Sequence, residues 1–517
     1  MDQTRRSFLE QVGQGVLLAG VGSQISGELG LVSARAAEGP TRLNFGKLEP
    51  LVEMLQTTPS AKLLPLLADG LKKGTTLKEY VGAAALANAR HFGGQDYIGF
   101  HTMMALMPAY SMSRELPADK QALPVFKVLY RNSSRIQALG GKEVLTPVEP
   151  APLAKDAVGS EVLRSAIRRQ DAKAAEQTLT AIAKTSPDAA LNDLLHTVQD
   201  STDVHRVVLA YRAWDMLGLV GKDLAHVMLR QSVRYCLQAQ PYVARPRRHG
   251  DCREVLPKLM EKHGLMTRTA GKKTLDDKAL LRLSKDIFTS TPEQAAGLAA
   301  EALADGLSTD TVGEAISLAA CDLILRDKGR PKGQTAAGKP EGSIHGDSIG
   351  VHACDSMNAW RNLSWAGNPR NSAACLIMAA FQVSLDRIER GGSFLSWDAY
   401  PLAAHLEKIK GREAADLLRD AEAGIKANDQ TAASANIYRY LELKHPEKDA
   451  FALMMRYAIS EDVALHAEKF YRTSREEYDR TRPSLRGRYL VALARVTASA
   501  CGQPAPGHAE ACKLLGV

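Results

Sequence analysis

From residue 48 to the C-terminus the apolar side chains recur at three-and-four spacing, and this pattern constrains the fold more than any other feature. It predicts helices over Thr76–Phe92, Ala118–Ile136, Pro187–Asp200, Asp203–Leu217 and Lys222–Ala239. It continues over Thr309–Arg326, Ile349–Trp365, Arg370–Ile388, Gly411–Ala427, Thr431–Leu443 and Glu461–Thr473. Ser, Thr, Asp or Pro marks the starts, as at Ser186-Pro187 and Ser308-Thr309. No convincing run of alternating β-branched residues appears, and aromatic residues make up only 5% of the chain, which argues against a sandwich or barrel. The expected class is all-α.

The helices are written twice. Leu67-Ala68-Asp69-Gly70-Leu71 returns as Leu303-Ala304-Asp305-Gly306-Leu307, 236 residues later. Each copy leads into an Ala-rich helix, and then to an apolar residue followed by a histidine, Phe100-His101 and Val351-His352. A further helix ends at Arg135-Ile136 and at Arg387-Ile388, and a glycine pair follows each, Gly140-Gly141 and Gly391-Gly392. Later Asp203-Val204, His205 and Tyr211-Arg212 answer to Asp462-Val463, His466 and Tyr471-Arg472. Landmarks in the same order predict two duplicated helical units of about 250 residues, packed as a pseudo-twofold bundle or run on as a short helical array. The expected division is 37–240 and 276–517, joined by a basic linker over 241–275.

Residues 1–36 read as an address. Thr4-Arg5-Arg6-Ser7-Phe8-Leu9 is a twin-arginine motif, Val12–Val21 a short apolar stretch, and Ala34-Arg35-Ala36 a cleavage site. The expectation is folded export to the periplasm, with the twin-arginine machinery as a partner. No later stretch approaches the 18 apolar residues of a spanning helix, so no stable membrane insertion is expected. The net charge is +8, and Arg245, Arg247, Arg248, Arg253, Lys258, Lys262, Lys272 and Lys273 concentrate in the linker. Without interleaved aromatic residues, and in an exported chain, this reads as a solvated basic stretch rather than a nucleic-acid surface.

Standard catalytic signatures are absent: no His-Glu-x-x-His, no Cys-x-x-Cys, no haem-attachment motif. Gly333–Gly338 before Lys339 has P-loop spacing, but Pro340 stands where Ser or Thr would hold Mg²⁺. Gly346-Asp347-Ser348-Ile349-Gly350 has nucleophile-elbow spacing, but a polar loop precedes it instead of a strand. That loop, 328–346, has no counterpart in the first half and reads as a lid or a surface insertion, with His345 solvent-exposed or acting as an acid/base. Glu442-x-x-His445, Asp193-x-x-His196 and Asp223-x-x-His226 are weak matches to a carboxylate-bridged di-iron pattern.

Histidine carries what chemistry is left. On the helix from Ile349, His352 shares a face with Ser356, Ala359 and Leu363, and Asp355 lies beside it. An inward imidazole must be hydrogen-bonded or ligated to offset desolvation. Two equivalent pairs, His101 with His352 and His205 with His466, are the candidate metal ligands, with Asp355 or Asp203 beside them and iron the candidate cofactor. The alternative is that each histidine is a satisfied core residue. Cys236 with Cys252, and Cys501 with Cys512, have spacing that permits local disulfides in an oxidising compartment.

His352-Ala353-Cys354-Asp355-Ser356-Met357-Asn358-Ala359-Trp360-Arg361 resembles the questin oxidase-like family, over about 40 residues. The resemblance implies an all-helical oxidoreductase, an oxidative ring opening of an anthraquinone, NADPH and oxygen, and functional positions at His352, Ser356, Asn358 and Arg361. The first half departs from the pattern with Thr102-Met103-Met104 and Tyr110. The expected function is an exported oxidoreductase-like protein that oxidises a small aromatic or quinone-like molecule at a His-lined site. His352 would be ligand or acid/base, Asp355 would orient it, and Asn358 and Arg361 would bind a polar or anionic substrate group. The alternative is a non-catalytic helical binding or scaffold protein of the periplasm.

Overall fold

The computed structural model describes residues 42–243 and 250–517. Residues 1–41, which hold the export motif, and Arg245–His249 of the basic stretch lie outside the described residues. Everything described is helical: twenty-three α-helices, short 3₁₀ turns and three isolated bridges, with no strand among the described residues.

The predicted helices form with ends shifted by a few residues. Thr309–Arg326 matches, Leu77–Phe92 begins one residue late behind its Thr76 cap, and Ile349–Ala366 extends one residue further. One boundary moves more. The helix expected from Glu461 starts at His466, because Ala464 and Leu465 adopt left-handed backbone at φ 49° and 62° and break it. The chain before that break is held by a neighbouring loop, with Asp462 N–H donating to the Gln503 carbonyl at 2.5 Å.

Four helices form the centre: α1 (Tyr97–Ser113), α2 (Val204–Val220), α3 (Ile349–Ala366) and α4 (His466–Arg480). They pack as a ring, α1 on α2, α2 on α3, α3 on α4 and α4 on α1, and Arg472 of α4 reaches across it to Asp215 and Tyr211 of α2. An outer layer backs them: Ala122–Ala138 behind α1, Ala225–Val243 behind α2, Pro369–Arg390 and Thr309–Arg326 behind α3, and Gly487–Ala500 behind α4. That double layer explains why α1 is buried around nearly its whole circumference and carries no polar stripe. One apolar core runs through both halves of the sequence, and the last helix, His508–Leu515, packs back on Ser60–Lys72.

Two loops differ from expectation. Residues 252–262 of the basic stretch form a helix whose Cys252, Leu256 and Met260 are buried against Pro292–Ala304 and Pro369–Arg390. Residues 328–348 form a strap fastened to the body. His345 is not solvent-exposed: it is 1% accessible, with Nδ1 bonded to Ser499 Oγ and Nε2 to the Gly338 carbonyl, both at 2.8 Å. Ser348 is no nucleophile either. Its hydroxyl donates to the Ile344 carbonyl and accepts from Val351 N–H, which caps α3. All seven cysteines are free thiols, so neither permitted disulfide is made.

Candidate functional site

Each central helix brings one histidine to the middle of the ring, within its first two turns. His101 comes from α1, His205 from α2, His352 from α3 and His466 from α4. Three devices set these starts. The Asp96 carboxylate accepts Gly99 N–H at 2.7 Å and is itself held by Arg135. Asp203 accepts His205 N–H at 3.0 Å. At α4 no side chain caps the helix, and the left-handed Ala464-Leu465 step aims its first residue instead. Left-handed backbone at a non-glycine residue costs roughly 1–2 kcal/mol, so the fold bears strain at the point where it delivers His466.

The four imidazoles gather as a closed cycle. Ring centroids lie 4.9 Å apart for His101–His205, 5.6 Å for His205–His352, 5.4 Å for His352–His466 and 5.2 Å for His466–His101. All four are 5% exposed or less. The pairs that sequence order makes equivalent, His101 with His352 and His205 with His466, stand opposite each other in this cycle.

Hydrogen bonds set two of the tautomers. His101 Nδ1 lies 2.7 Å from the Tyr97 carbonyl and His466 Nδ1 lies 3.0 Å from the Val463 carbonyl. A carbonyl only accepts, so Nδ1 carries the proton in both rings. Burial pushes both pKa values well below the usual histidine range, and the nearby Lys469 charge and the other imidazoles push the same way. Both rings are therefore neutral at pH 7, with Nε2 a bare lone pair. His466 Nε2 faces His352 Nε2 at 3.3 Å, while His101 Nε2 and both ring nitrogens of His205 are buried without a hydrogen bond. His205 Nδ1 does sit 3.3 Å from Asp203 Oδ1, and the Tyr235 hydroxyl donates to the other oxygen of that carboxylate.

The surroundings are two-sided. On the α1 side Phe100 stacks on His101 at 5.0 Å, and Tyr97 lies 4.5 Å from His101 and 6.0 Å from His205. Burial pushes the Tyr97 hydroxyl up to about 12, so it stays protonated. On the α4 side lie Lys469 and Asp355, both fully enclosed. Burial lowers the Lys469 ammonium to about 8 and raises the Asp355 carboxyl. Each charge opposes the other's shift, and Thr473 donates to Asp355 Oδ1 at 2.7 Å.

Asn358 and Arg361 bond to carboxylates of α4. Arg361 Nη1 donates to Glu477 Oε2 at 2.6 Å, and Asn358 Nδ2 donates to Glu477 Oε1 at 2.9 Å and Glu476 Oε2 at 3.0 Å. These bonds tie α3 to α4, while Arg361 Nε is buried without a partner. Ser356 accepts from Gln382, in the layer behind α3. The weak di-iron matches also fall away: His445 bonds the Arg412 carbonyl, His226 bonds the Asp223 carbonyl, and neither approaches the cycle.

Sequence reasoning missed Tyr97, Phe100, Tyr235, Lys469 and Thr473. Three of these were within reach of a helical wheel, since Tyr97 lies one turn before His101, and Lys469 and Thr473 lie one and two turns after His466. Tyr235 and Glu477 enter through tertiary contact alone.

Imidazole is a side chain that divalent transition metals favour, and four of them meet here. The 3.3 Å separation of His352 Nε2 and His466 Nε2 equals the edge of a tetrahedron with metal–nitrogen bonds of about 2.0–2.1 Å. As they stand, no three or more His, Cys, Asp or Glu among the described residues form a ready metal-ligand set. Comparison with protein-family models, with curated proteins and with solved structures gives no match.

Proposed function

We propose that the four-histidine cycle binds one transition-metal ion, and that the protein is an exported oxidoreductase-like enzyme for a small aromatic or quinone-like molecule. The observation that carries this reading is electrostatic. Neutral His101 presents an unpartnered Nε2 lone pair to a buried centre, both ring nitrogens of His205 are buried there without a hydrogen bond, and His466 Nε2 has only the Nε2 of His352 beside it. Buried polar atoms without partners are costly, on the order of 1–3 kcal/mol each, so a cluster of them is explained best by a ligand that supplies the partner.

His101, His205, His352 and His466 would hold the ion, and iron remains the candidate. When bound, such an ion would supply Lewis-acid or one-electron chemistry. The chain's own part is to position and insulate. Backbone carbonyls hold the His101 and His466 tautomers, and Asp203 backs His205 as carboxylates commonly back metal-binding histidines. Asp355 and Lys469 place a proton donor–acceptor pair one turn from the rings. Asn358 and Arg361 serve by fixing α3 against α4. The alternation of equivalent histidines around the cycle suits a duplicated chain whose halves share one site. The twin-arginine motif supports export, and folded export is the route that lets a metal be loaded before translocation.

A non-catalytic helical scaffold is the second reading, favoured by the absence of a closed ligand set. Metal analysis of protein purified without chelators, followed by Co²⁺ titration read by visible absorption, separates the two. We expect one metal site per chain, with affinity reduced by at least about tenfold in His101→Ala and in His352→Ala while far-UV circular dichroism is unchanged. Stoichiometry near zero with no Co²⁺ spectrum would leave the scaffold.

A further inference from the structure

A small cavity, about 20 Å³ in volume, adjoins the cycle, with His466 in its wall. Its lining is mostly aliphatic and aromatic, with Val351, Val463, Ala467, Phe470, Leu493 and Val496 the main contributors. Of the four polar residues in the wall, Tyr457, Glu461, His466 and Thr497, the first two spend their polar atoms elsewhere. The Tyr457 hydroxyl donates to Glu422 at 3.1 Å, and Glu461 accepts the Gly502 and Gln503 N–H groups at 2.9 and 2.5 Å. Water gains little in such a space, because an enclosed water needs two to four polar partners. Protein interiors are packed to near-crystalline density, and a void beside a polar cluster forfeits contacts that larger side chains at Ala467 or Ala500 would recover.

The strap contributes one residue to this space. Gly346 belongs to the wall, at φ +67°, a conformation that favours glycine. Around it the strap is fastened at several points: His345 and Ile344 N–H to Ser499, Asp347 to Arg330 and Lys339, and the Gly338 carbonyl to Gln503. The free space suits a guest of about water size, so the guest is small as well as apolar.

We propose that this cavity is the binding and entry pocket for a small uncharged apolar molecule, of two or three heavy atoms, that reaches the histidine cycle past His466. The inference rests on the metal-site reading for its purpose, but not for its test. Xenon is the probe, because it reports small apolar cavities whether or not a metal is bound. Crystals of the whole protein, with and without Co²⁺, would be pressurised with xenon and its anomalous signal mapped. The expected result is xenon in contact with Phe470, Val496 and His466, lost in Val496→Phe and increased in Val496→Ala. The alanine variant keeps the test meaningful if the phenylalanine does not fold. Ordered water filling the cavity, or no xenon there in the wild type, overturns the pocket. Failure of Co²⁺ binding with xenon still present would overturn only the metal site.

Discussion

The pair Arg361–Glu477 decides whether the motif around His352 acts on substrate or on structure. Its side chains are 2% and 3% exposed and lie 2.6 Å apart. Glu477 also accepts from Asn358 at 2.9 Å and from Ser317 at 2.8 Å, so one carboxylate satisfies three buried groups. Glu477→Gln keeps the volume but removes the charge and turns amide hydrogens toward existing donors. Removing one partner of a buried ion pair costs about 3–5 kcal/mol, because the surviving charge stays desolvated. Replacing both partners with apolar residues should cost much less. Arg361→Met/Glu477→Leu is expected within about 2 kcal/mol of the wild type, since Asn358 keeps Glu476 and Ser317 keeps the Tyr489 hydroxyl.

The assay is urea unfolding followed by circular dichroism, with the denaturation midpoint compared at constant slope and the two single variants and the double variant closed into a cycle. A coupling energy of about 2 kcal/mol or more is expected. Co²⁺ affinity should change less than about twofold in the double variant, because no atom of the pair bonds an imidazole of the cycle. A Glu477→Gln cost below about 1 kcal/mol would refute the structural assignment. So would a double variant that keeps its stability but loses Co²⁺ binding, and Arg361 would return to the site.

Three further outcomes follow from the same coordinates. Asp203→Asn should weaken Co²⁺ binding by about 10–100-fold with little loss of helix, read by titration and circular dichroism, because the carboxylate both caps α2 and backs His205. Stability should fall as pH drops below 6.5: burial, with Arg370 and Arg164 nearby, lowers His196 to about 4, so the unfolded chain takes up that proton first. That one group removes up to about 3 kcal/mol by pH 4, and a flat stability between pH 7 and 5 would contradict it. A second loss belongs between about pH 4.5 and 2: burial raises the Glu476 carboxyl, but Arg472, Arg212 and Arg480 prevail and hold it at about 2. Ala464→Gly should stabilise by up to about 1 kcal/mol in urea unfolding, because glycine takes φ 49° without strain, and a loss of stability would place the residue's role in packing.

The sequence made the fold class legible because helix formation is local: periodicity and caps such as Thr76, Ser186 and Ser308 act within a few residues. It also singled out the four histidines that meet, since an internal repeat with an inward histidine in each copy is a local pattern read twice. It could not give the order around the cycle, which depends on α1 packing against α4 and α2 against α3 across hundreds of residues. The partners of Arg361 and Asn358 were hidden for a related reason. A helical wheel shows which face a residue occupies, but not that Glu476 and Glu477 wait on the facing helix. His345 failed likewise: a Gly- and Lys-rich loop looks solvated until Ser499 is known to lie beneath it.

The start of α4 links fold to chemistry most directly. An uninterrupted helix from Glu461, as the apolar spacing favours, would carry His466 on a different turn and leave Val463 O to an intrahelical amide. With the left-handed step at Ala464 and Leu465, that carbonyl accepts both the His466 backbone N–H and His466 Nδ1, each at 3.0 Å. The ring's bond puts the proton on Nδ1 and leaves the lone pair on Nε2, facing His352. Core packing does not need this arrangement, because a phenylalanine or leucine could fill the same space without local strain or buried nitrogen. The strain at Ala464 and Leu465 and the buried ring nitrogen of His466 thus fall together at one helix start, and that coincidence is what the metal-site proposal would account for.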